Sequence, residues 1–419
     1  MTKIPNISYT TKHHLCTGCG VCEGACPSKA IKVVVIHGCF QPIINKKLCK
    51  NERGCHRCYD SCPGIGINLI DNAQLLYPQN NINKLAGRYL KCYTGYSNEY
   101  NIRYHCASGG MVSQFIIFLL EKGYIDGAIV TAFNASAPLK VHSYIAHNKE
   151  EVLKGKSSKY APVTLNHAIQ DIKAAKGKRY IIVGIPCHIE GFRKYEQLDK
   201  HFKEKITGYL SIYCSSGRNF YLTEYVFKER KIDLKKLSYF AYRDNGCLGN
   251  MVAKGEGINH EERFQDYYHP LRSIFVPHRC TMCLDHYGEL GDISFGDIHI
   301  EPYLQDKIGV NSLIVRNSHM VKWLHEAKDA GIISLDEISI DIVNKSQPMA
   351  SIKKNRNAAF IRINKILNMK VPNYGYPITS KIHFKWIISY LHTNLQQFIG
   401  KRKNLWFLIP LIKGKAPIV

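Results

Sequence analysis

The sequence predicts an α/β protein, in which a body on a mostly parallel sheet follows a small cysteine-punctuated module and precedes a basic tail. Three observations carry this reading. Eight of the sixteen cysteines stand at metal-ligand spacing before residue 63. Between about 92 and 345, short apolar runs alternate with helical segments, the pattern of buried strands joined by crossover helices. After Asp341 no Asp or Glu appears, while Lys and Arg number fourteen.

At 419 residues the chain can bury a large core in two or three domains. Its 45% hydrophobic and 21% charged residues are those of a globular protein. No run reaches the roughly 18–20 apolar residues of a membrane span, and the start of the chain lacks the apolar stretch of a secretory signal. The expected location is therefore the cytoplasm, where thiols stay reduced. The net charge of +24 suits acidic proteins, polyanions or anionic lipid. No helix-turn-helix, zinc-finger or RNA-binding signature accompanies it, so nucleic acid is not an expected partner.

Residues 1–70 form the first unit. Cys16, Cys19, Cys22 and Cys26, closed by Pro27, read C-x2-C-x2-C-x3-C-P. A tight loop with two-residue gaps wraps three thiolates around three corners of an iron–sulfur cubane, and the cysteine before proline serves the other cluster. Cys49, Cys55, Cys58 and Cys62, closed by Pro63, repeat the pattern with a first gap of five residues instead of two. One [4Fe–4S] cluster is then assigned to Cys16, Cys19, Cys22 and Cys62, and a second to Cys49, Cys55, Cys58 and Cys26. The unit reads as a bacterial-ferredoxin-like 2[4Fe–4S] domain. Zinc knots would use C-x2-C pairs but need neither a three-cysteine run nor a cysteine before proline in each half.

Residues 71–91, polar and rich in Asn, read as a connector to the body, 92–345. There Ser108 is placed to cap a helix from Gly109 to Lys122, stopped by Gly123. Strands are expected at Asp126–Phe133, Arg179–Pro186, Ile206–Cys214 and Ser312–Arg316, with helices at about His188–Leu198 and His319–Ala330. Ligands in such folds gather at the carboxyl ends of strands, here near Cys187 and Cys214. Cys280 and Cys283 form a lone C-x2-C, which by itself suits zinc, redox chemistry or simple burial. Cys39, Cys92 and Cys106 lack motif context and read as buried residues.

Several short body motifs add a resemblance: Cys106-Ala-Ser-Gly-Gly110, Gly155–Tyr160, Gly184-Ile-Pro-Cys187, Ile212-Tyr-Cys214, and Arg279-Cys-Thr-Met-Cys283 running on to Gly296-Asp297. In this order they resemble the family of coenzyme F420 hydrogenase/dehydrogenase beta subunits. The resemblance implies FAD and a third [4Fe–4S] cluster in the body, with Cys187, Cys214, Cys280 and Cys283 as cluster ligands. It also gives Ser108, Gly109, Gly110, Ser158, Lys159, Tyr160 and Arg243 a flavin-site reading, with Asp297 at a similar family position. A Ser-Gly-Gly turn and a lysine are suited to a pyrophosphate, although such turns are also ordinary helix starts. No His beside these motifs is assigned a catalytic role.

The expected function is that of an iron–sulfur flavoprotein oxidoreductase, an enzyme carrying electrons from a ferredoxin-type, acidic donor through the clusters to FAD and on to a small-molecule substrate. The alternatives are an F420-dependent hydrogenase/dehydrogenase beta subunit acting on coenzyme F420 and a non-catalytic electron-transfer subunit. A surface-polysaccharide-associated reductase is a further reading. No G-x-G-x-x-G follows a strand, which argues against direct use of NAD. Residues 346–419 form a basic, aromatic-rich appendage with an amphipathic stretch at Phe384–Phe398. Its expected role is peripheral attachment to the anionic inner face of a membrane or docking of an acidic partner, set against simple packing on the body.

Overall fold

The computed structural model describes residues 5–134, 137–378 and 381–415. Near the N-terminus, β1 (Ile31–Ile36) and β2 (Cys39–Ile44) form an antiparallel hairpin. A short ladder of β3 (Asn81–Asn83) and β4 (Gly87–Tyr89) follows. The body is built from β5 (Lys91–Ser97), β6 (Gly127–Asn134), β7 (Ala137–Ala146), β8 (Tyr180–Gly184) and β9 (Ile206–Ile212). A three-stranded antiparallel sheet of β10 (Leu237–Asp244), β11 (Asn250–Gly255) and β12 (Ile258–Arg263) is inserted next, before β13 (Ile293–Asp297), β14 (Asn311–Val315) and β15 (Ile333–Glu337).

The main sheet has the order β15-β5-β14-β13-β9-β8-β6-β7. Its centre, β13-β9-β8-β6, is parallel, and β5 runs in the same direction, so five of the eight strands point one way. The opposed strands are β14, β15 and β7. The α/β class with a large, mostly parallel central sheet is thus borne out. The four strands expected from apolar runs correspond to β6, β8, β9 and β14. The helices read near 188–198 and 319–330 are Pro186–Glu196 and Ser318–Asp329.

Period-two alternation divides the sheet's residues between two cores. Ala128, Val130, Ile181 and Leu210 face the Met111–Glu121 and Ser318–Asp329 helices. Ile129, Ile182 and Tyr209 face the opposite way and share a core with Leu15, Val21, Ala25 and Leu69. The cysteine module is therefore packed on one face of the sheet. Gly20 sits at that seam with a φ of +84°, and a Cβ there would fall 2.1 Å from Thr164 Oγ1 and 2.7 Å from the Asn166 nitrogen. A left-handed backbone and a filled space together demand glycine. Gly20→Ala is expected to cost about 1–3 kcal/mol, seen as a lower melting temperature together with a reduced iron content.

The stretch read as a connector is ordered structure. The Leu69–Leu76 helix spans its start, capped by the Asn68 side chain, and Tyr77 bonds Leu290 and Asp292 of the body. The helix expected from Gly109 begins instead at Met111, with Gly110 in the left-handed N-cap conformation. Ser108 is not its cap. Its hydroxyl donates to the Val310 carbonyl, and Asn311 Oδ1 on β14 accepts the Met111 N–H at 3.2 Å. A tertiary neighbour out-competes the local serine, which a reading of the local sequence cannot see.

Candidate functional site: a line of cysteines leading to the carboxyl edge of the sheet

The eight cysteines of the first unit separate in space into two groups. Cys16, Cys19 and Cys22 each feel the charge of Cys62, whereas Cys58 has Cys26, Cys55 and Cys49 as neighbours. Cys16, Cys19, Cys22 and Cys62 line one small cavity with Thr17, Gly18 and Gly20. The atypical five-residue gap folds as a 3-10 turn, Asn51–Arg53, closed by left-handed Gly54, which keeps Cys49 beside Cys58. Burial, reinforced by neighbouring thiols, raises the Cys19 thiol to about 12 and Cys58 to about 11. Left to themselves such thiols stay protonated, and bound metal is what makes them thiolates.

The donor set fits an iron–sulfur cubane. Backbone N–H groups of Ala30 and Gly64 donate to Cys26 Sγ and Cys62 Sγ, both at 3.3 Å. Among the described residues no three His, Cys, Asp or Glu side chains converge closely enough for a single metal ion. A tetrahedral zinc ion would draw its sulfurs to roughly 4 Å from one another, whereas a four-iron cage takes one thiolate at each corner.

In the body Cys187, Cys214, Cys280 and Cys283 converge in the same manner. Cys187 neighbours Cys19, Cys214 and Cys280, and Cys214 neighbours Cys280 and Cys283. Cys187 lies in the first turn of the helix after β8, and Cys214 stands two residues past β9. Both are at the carboxyl edge of parallel strands, as expected. Burial raises the Cys214 thiol to about 12. The nearness of Cys187 to Cys19 aligns the three groups in sequence, with Cys58 next to Cys22 on the far side.

Several residues that the sequence did not single out complete this site. Arg279 donates to the carbonyls of Gly64 (2.9 Å) and Pro63 (3.1 Å) and to Tyr374 OH (2.9 Å), which ties the C-x2-C loop to the Cys62-Pro63 turn. Its place directly before Cys280 was the available signal. Lys353, from a π-helical turn (Lys353–Asn357) of the segment read as an appendage, is buried. Its Nζ lies 3.4 Å from Cys283 Sγ and 2.6 Å from the Asp285 carbonyl. Burial works against its charge, but the surrounding thiols and Asp285 raise its pKa overall. Asn357 on the same turn donates to the Cys283 carbonyl at 2.9 Å. Such π turns recur at functional sites, yet nothing in a Lys-Lys-Asn-Arg-Asn string announces one. Glu190, buried with neither oxygen hydrogen-bonded, lies among Cys283, Asp285 and Arg279, and burial pushes its carboxyl well up.

The residues given a flavin reading gather at the same edge. Arg243 Nη1 donates to Asp297 Oδ2 at 2.8 Å and reaches Tyr160 OH at 3.4 Å, and its other nitrogens donate to the carbonyls of Leu248 and Ala107. Burial opposes the charge of Asp297, but Arg243 and His299 hold its carboxyl below the ordinary value. Gly109 is pressed against the Gly95 carbonyl and Asn311, where a Cβ would sit at 2.8–2.9 Å. Lys159 turns back on its own loop, donating to the carbonyls of Gly155, Lys156 and Ser157 at 2.5, 2.6 and 3.0 Å, and burial brings its pKa down to about 7. Tested as a flavin cradle, the region has the right residue types with their polar side chains engaged by the chain itself. Geometry alone therefore does not single out a flavin. Tyr268 links this region to the third cysteine group, with its ring 4.5 Å from that of Tyr160 and Cys214 and Cys280 among its electrostatic neighbours.

Three of the histidines beside the motifs are hydrogen-bonded into the structure, whereas the buried His278 Nε2 has no hydrogen-bond partner among the described residues. His105 pairs with Asp244 at 2.8 Å, and His188 reaches the Val163 carbonyl at 3.2 Å. His286 sits between the Cys214 carbonyl and Gln347. Burial lowers His188 and His278 to about 4.

Comparison with known proteins agrees with this layout. A 4Fe-4S binding domain model matches residues 12–32. The N-terminal and C-terminal models of the coenzyme F420 hydrogenase/dehydrogenase beta subunit match residues 92–170 and 177–341. The chain is 26% identical over 373 residues to an uncharacterized protein of Methanocaldococcus jannaschii, covering 81% of this chain and 94% of that one. It is 24% identical over 344 residues to the coenzyme F420-dependent sulfite reductase of the same organism, covering 77% of this chain but only 48% of that enzyme. It is 22% identical over 367 residues to a subunit of the F(420)H(2) dehydrogenase of Methanosarcina mazei, covering 84% and 93%. A chain of the xenon-derivatized F420-reducing [NiFe] hydrogenase complex from Methanosarcina barkeri shares the fold, with a TM-score of 0.56 at 18% identity over 70% of this chain and 99% of that one.

Proposed function

The chain belongs to the family of coenzyme F420 hydrogenase/dehydrogenase beta subunits, and from that premise we propose that it is an iron–sulfur oxidoreductase passing electrons between a protein donor and a substrate held at the carboxyl edge of its sheet. One observation carries the proposal: three groups of four cysteines stand in line from the outer module to that edge.

Bound cubanes would supply one-electron carriers tuned by hydrogen bonds and charge around their sulfurs. The residues to hold them are Cys16, Cys19, Cys22 and Cys62, then Cys26, Cys49, Cys55 and Cys58, then Cys187, Cys214, Cys280 and Cys283. The chain's own part is positional. Gly64 and Ala30 aim N–H groups at sulfur, Arg279 fixes the spacing between first and third groups, and Lys353 places a positive charge beside Cys283. A ferredoxin-type donor is supported by the concave surface beside Cys26, which is lined by Lys29, Arg57 and Lys173 and suits an acidic protein. FAD is the terminal carrier that the family resemblance favours, since a flavin joins one-electron to two-electron chemistry. Ser108–Gly110, Ser158, Lys159, Tyr160 and Arg243 are the residues to line its site.

The second reading, with F420 itself as the substrate, is favoured by the relatives, whose names carry F420 in hydrogenase, dehydrogenase and sulfite reductase settings. Anaerobic purification followed by iron, sulfide and flavin counts tests the shared part. About twelve irons and one flavin per chain are expected, and eight irons without flavin would remove the body from the relay. Bleaching of the visible absorbance by reduced ferredoxin, compared with reduced F420, then separates the two readings. Reduction without turnover of any small molecule would favour a non-catalytic electron-transfer subunit.

A further inference from the structure

The helix Phe384–Gly400 is amphipathic in the inverted sense. Its buried residues are mostly polar, Thr393, Gln396 and Gln397, joined by Ile399 and Gly400 at its C-terminal end. Gln396 accepts the Ser273 N–H and donates to the Ile412 carbonyl, and Tyr390 donates to Asn364. The exposed side is apolar: Phe384 is 74% exposed, Leu391 63%, Ile388 53%, Leu395 50% and Phe398 49%. At 100° per residue these positions, with Ile387, fall within an arc of about 100°. A helix packed on a body as a simple appendage does the reverse. Just beyond it Phe407 and Leu411 are also exposed, at 71% and 81%.

The surrounding charge is mainly basic, with Lys403 paired to Glu224. Lys385, Lys401, Arg402, Lys403 and Lys413 are exposed around the stripe, and the chain has no carboxylate side chain after Asp341. Arg402 stacks on Phe398 at 3.6 Å and Lys385 over Trp386 at 4.8 Å, so both ends of the helix pair an aromatic ring with a cation. A second copy docking on this face would set basic residues against basic residues. Among the described residues no helix is long and apolar enough to cross a membrane.

We propose that this face lies in the headgroup region of an anionic lipid bilayer, with the apolar stripe inserted and the Lys and Arg side chains on lipid phosphates. The proposal is independent of the redox reading, because it uses no residue of the cysteine line.

The test uses the full chain, purified anaerobically, sedimented with vesicles of neutral phosphatidylcholine and with vesicles containing about 30 mol% phosphatidylglycerol. Binding to the anionic vesicles only is expected, weakened by high salt. The double variant Ile388→Glu/Leu391→Glu should bind at least about tenfold more weakly with unchanged iron content and circular dichroism. Three results would each overturn the proposal. In the first, the protein stays in the supernatant with anionic vesicles at low salt. In the second, the variant binds as well as the parent. In the third, a dimer in solution dissociates in the variant while neither form binds vesicles, which would assign the face to a second copy.

Discussion

Cys62→Ser should lose about four of twelve irons per chain and with them electron transfer between the outer module and the body. The side chain belongs to the group that faces Cys187, so its loss interrupts the line at the middle. Cys62 also anchors a turn: its Sγ accepts the Gly64 N–H, its carbonyl accepts Lys194 Nζ at 2.8 Å, and the next two carbonyls accept Arg279. Serine keeps the backbone bonds while replacing a soft sulfur with a hard oxygen. Iron assay and single-turnover reduction of the chromophores should both show the effect. Cys92→Ala, at a buried cysteine on β5 outside the three groups, should keep the full complement of iron. Full iron in Cys62→Ser would refute the ligand assignment.

The second large effect concerns stability. Arg193→Met is expected to cost about 3–5 kcal/mol and to lower the melting temperature by roughly 3–6 °C. The guanidinium is buried, donates to Leu290 O (3.0 Å), Tyr77 OH (3.2 Å), Glu196 (3.2 Å) and Asp292 (3.0 Å), and lies 4.2 Å over the Tyr209 ring. Methionine fills the volume but abandons two buried carboxylates, and an unpaired buried charge costs more than the pair contributes. Adding Asp292→Asn should recover part of the loss, because an amide is cheaper to leave without a cation. Thermal unfolding of the iron-loaded protein followed by circular dichroism measures both. A shift below about 2 °C in Arg193→Met would show that the cluster of charges is not a structural keystone.

What could be read from the sequence and what could not divide along physical lines. Apolar runs such as Tyr-Ile-Ile-Val-Gly at 180–184 announce buried strands because both faces of a central strand are covered. β5 (Lys-Cys-Tyr-Thr-Gly-Tyr-Ser) and β15 (Ile-Ser-Leu-Asp-Glu) carry polar residues and were invisible, since their place beside antiparallel partners is decided by tertiary pairing. The cysteine groups were legible because the spacing of ligands within one loop is set by the size of the cage. The fourth and first members of distant loops still had to be paired by rule, and the neighbourhoods of Cys62 and Cys26 agree with that pairing. Lys353 and Glu190 carried no signal. A lysine in a basic tail and a glutamate on a helix ordinarily face water, and only the packing of the chain carries them inside. The Ser108 cap failed for the same reason, as Asn311 arrives from 200 residues away.

The bond between Arg279 and the Cys62-Pro63-Gly64 turn bears on timing. Carriers attached by flexible tethers must swing between docking positions, so their throughput slows as the medium thickens. Here the outer unit is clamped through Arg279, Lys194 and the Gly20 seam, leaving no swing to wait for. Internal hand-over should therefore proceed at the same pace in dilute buffer and in concentrated glycerol, and only the arrival of the external donor should feel the viscosity of its surroundings.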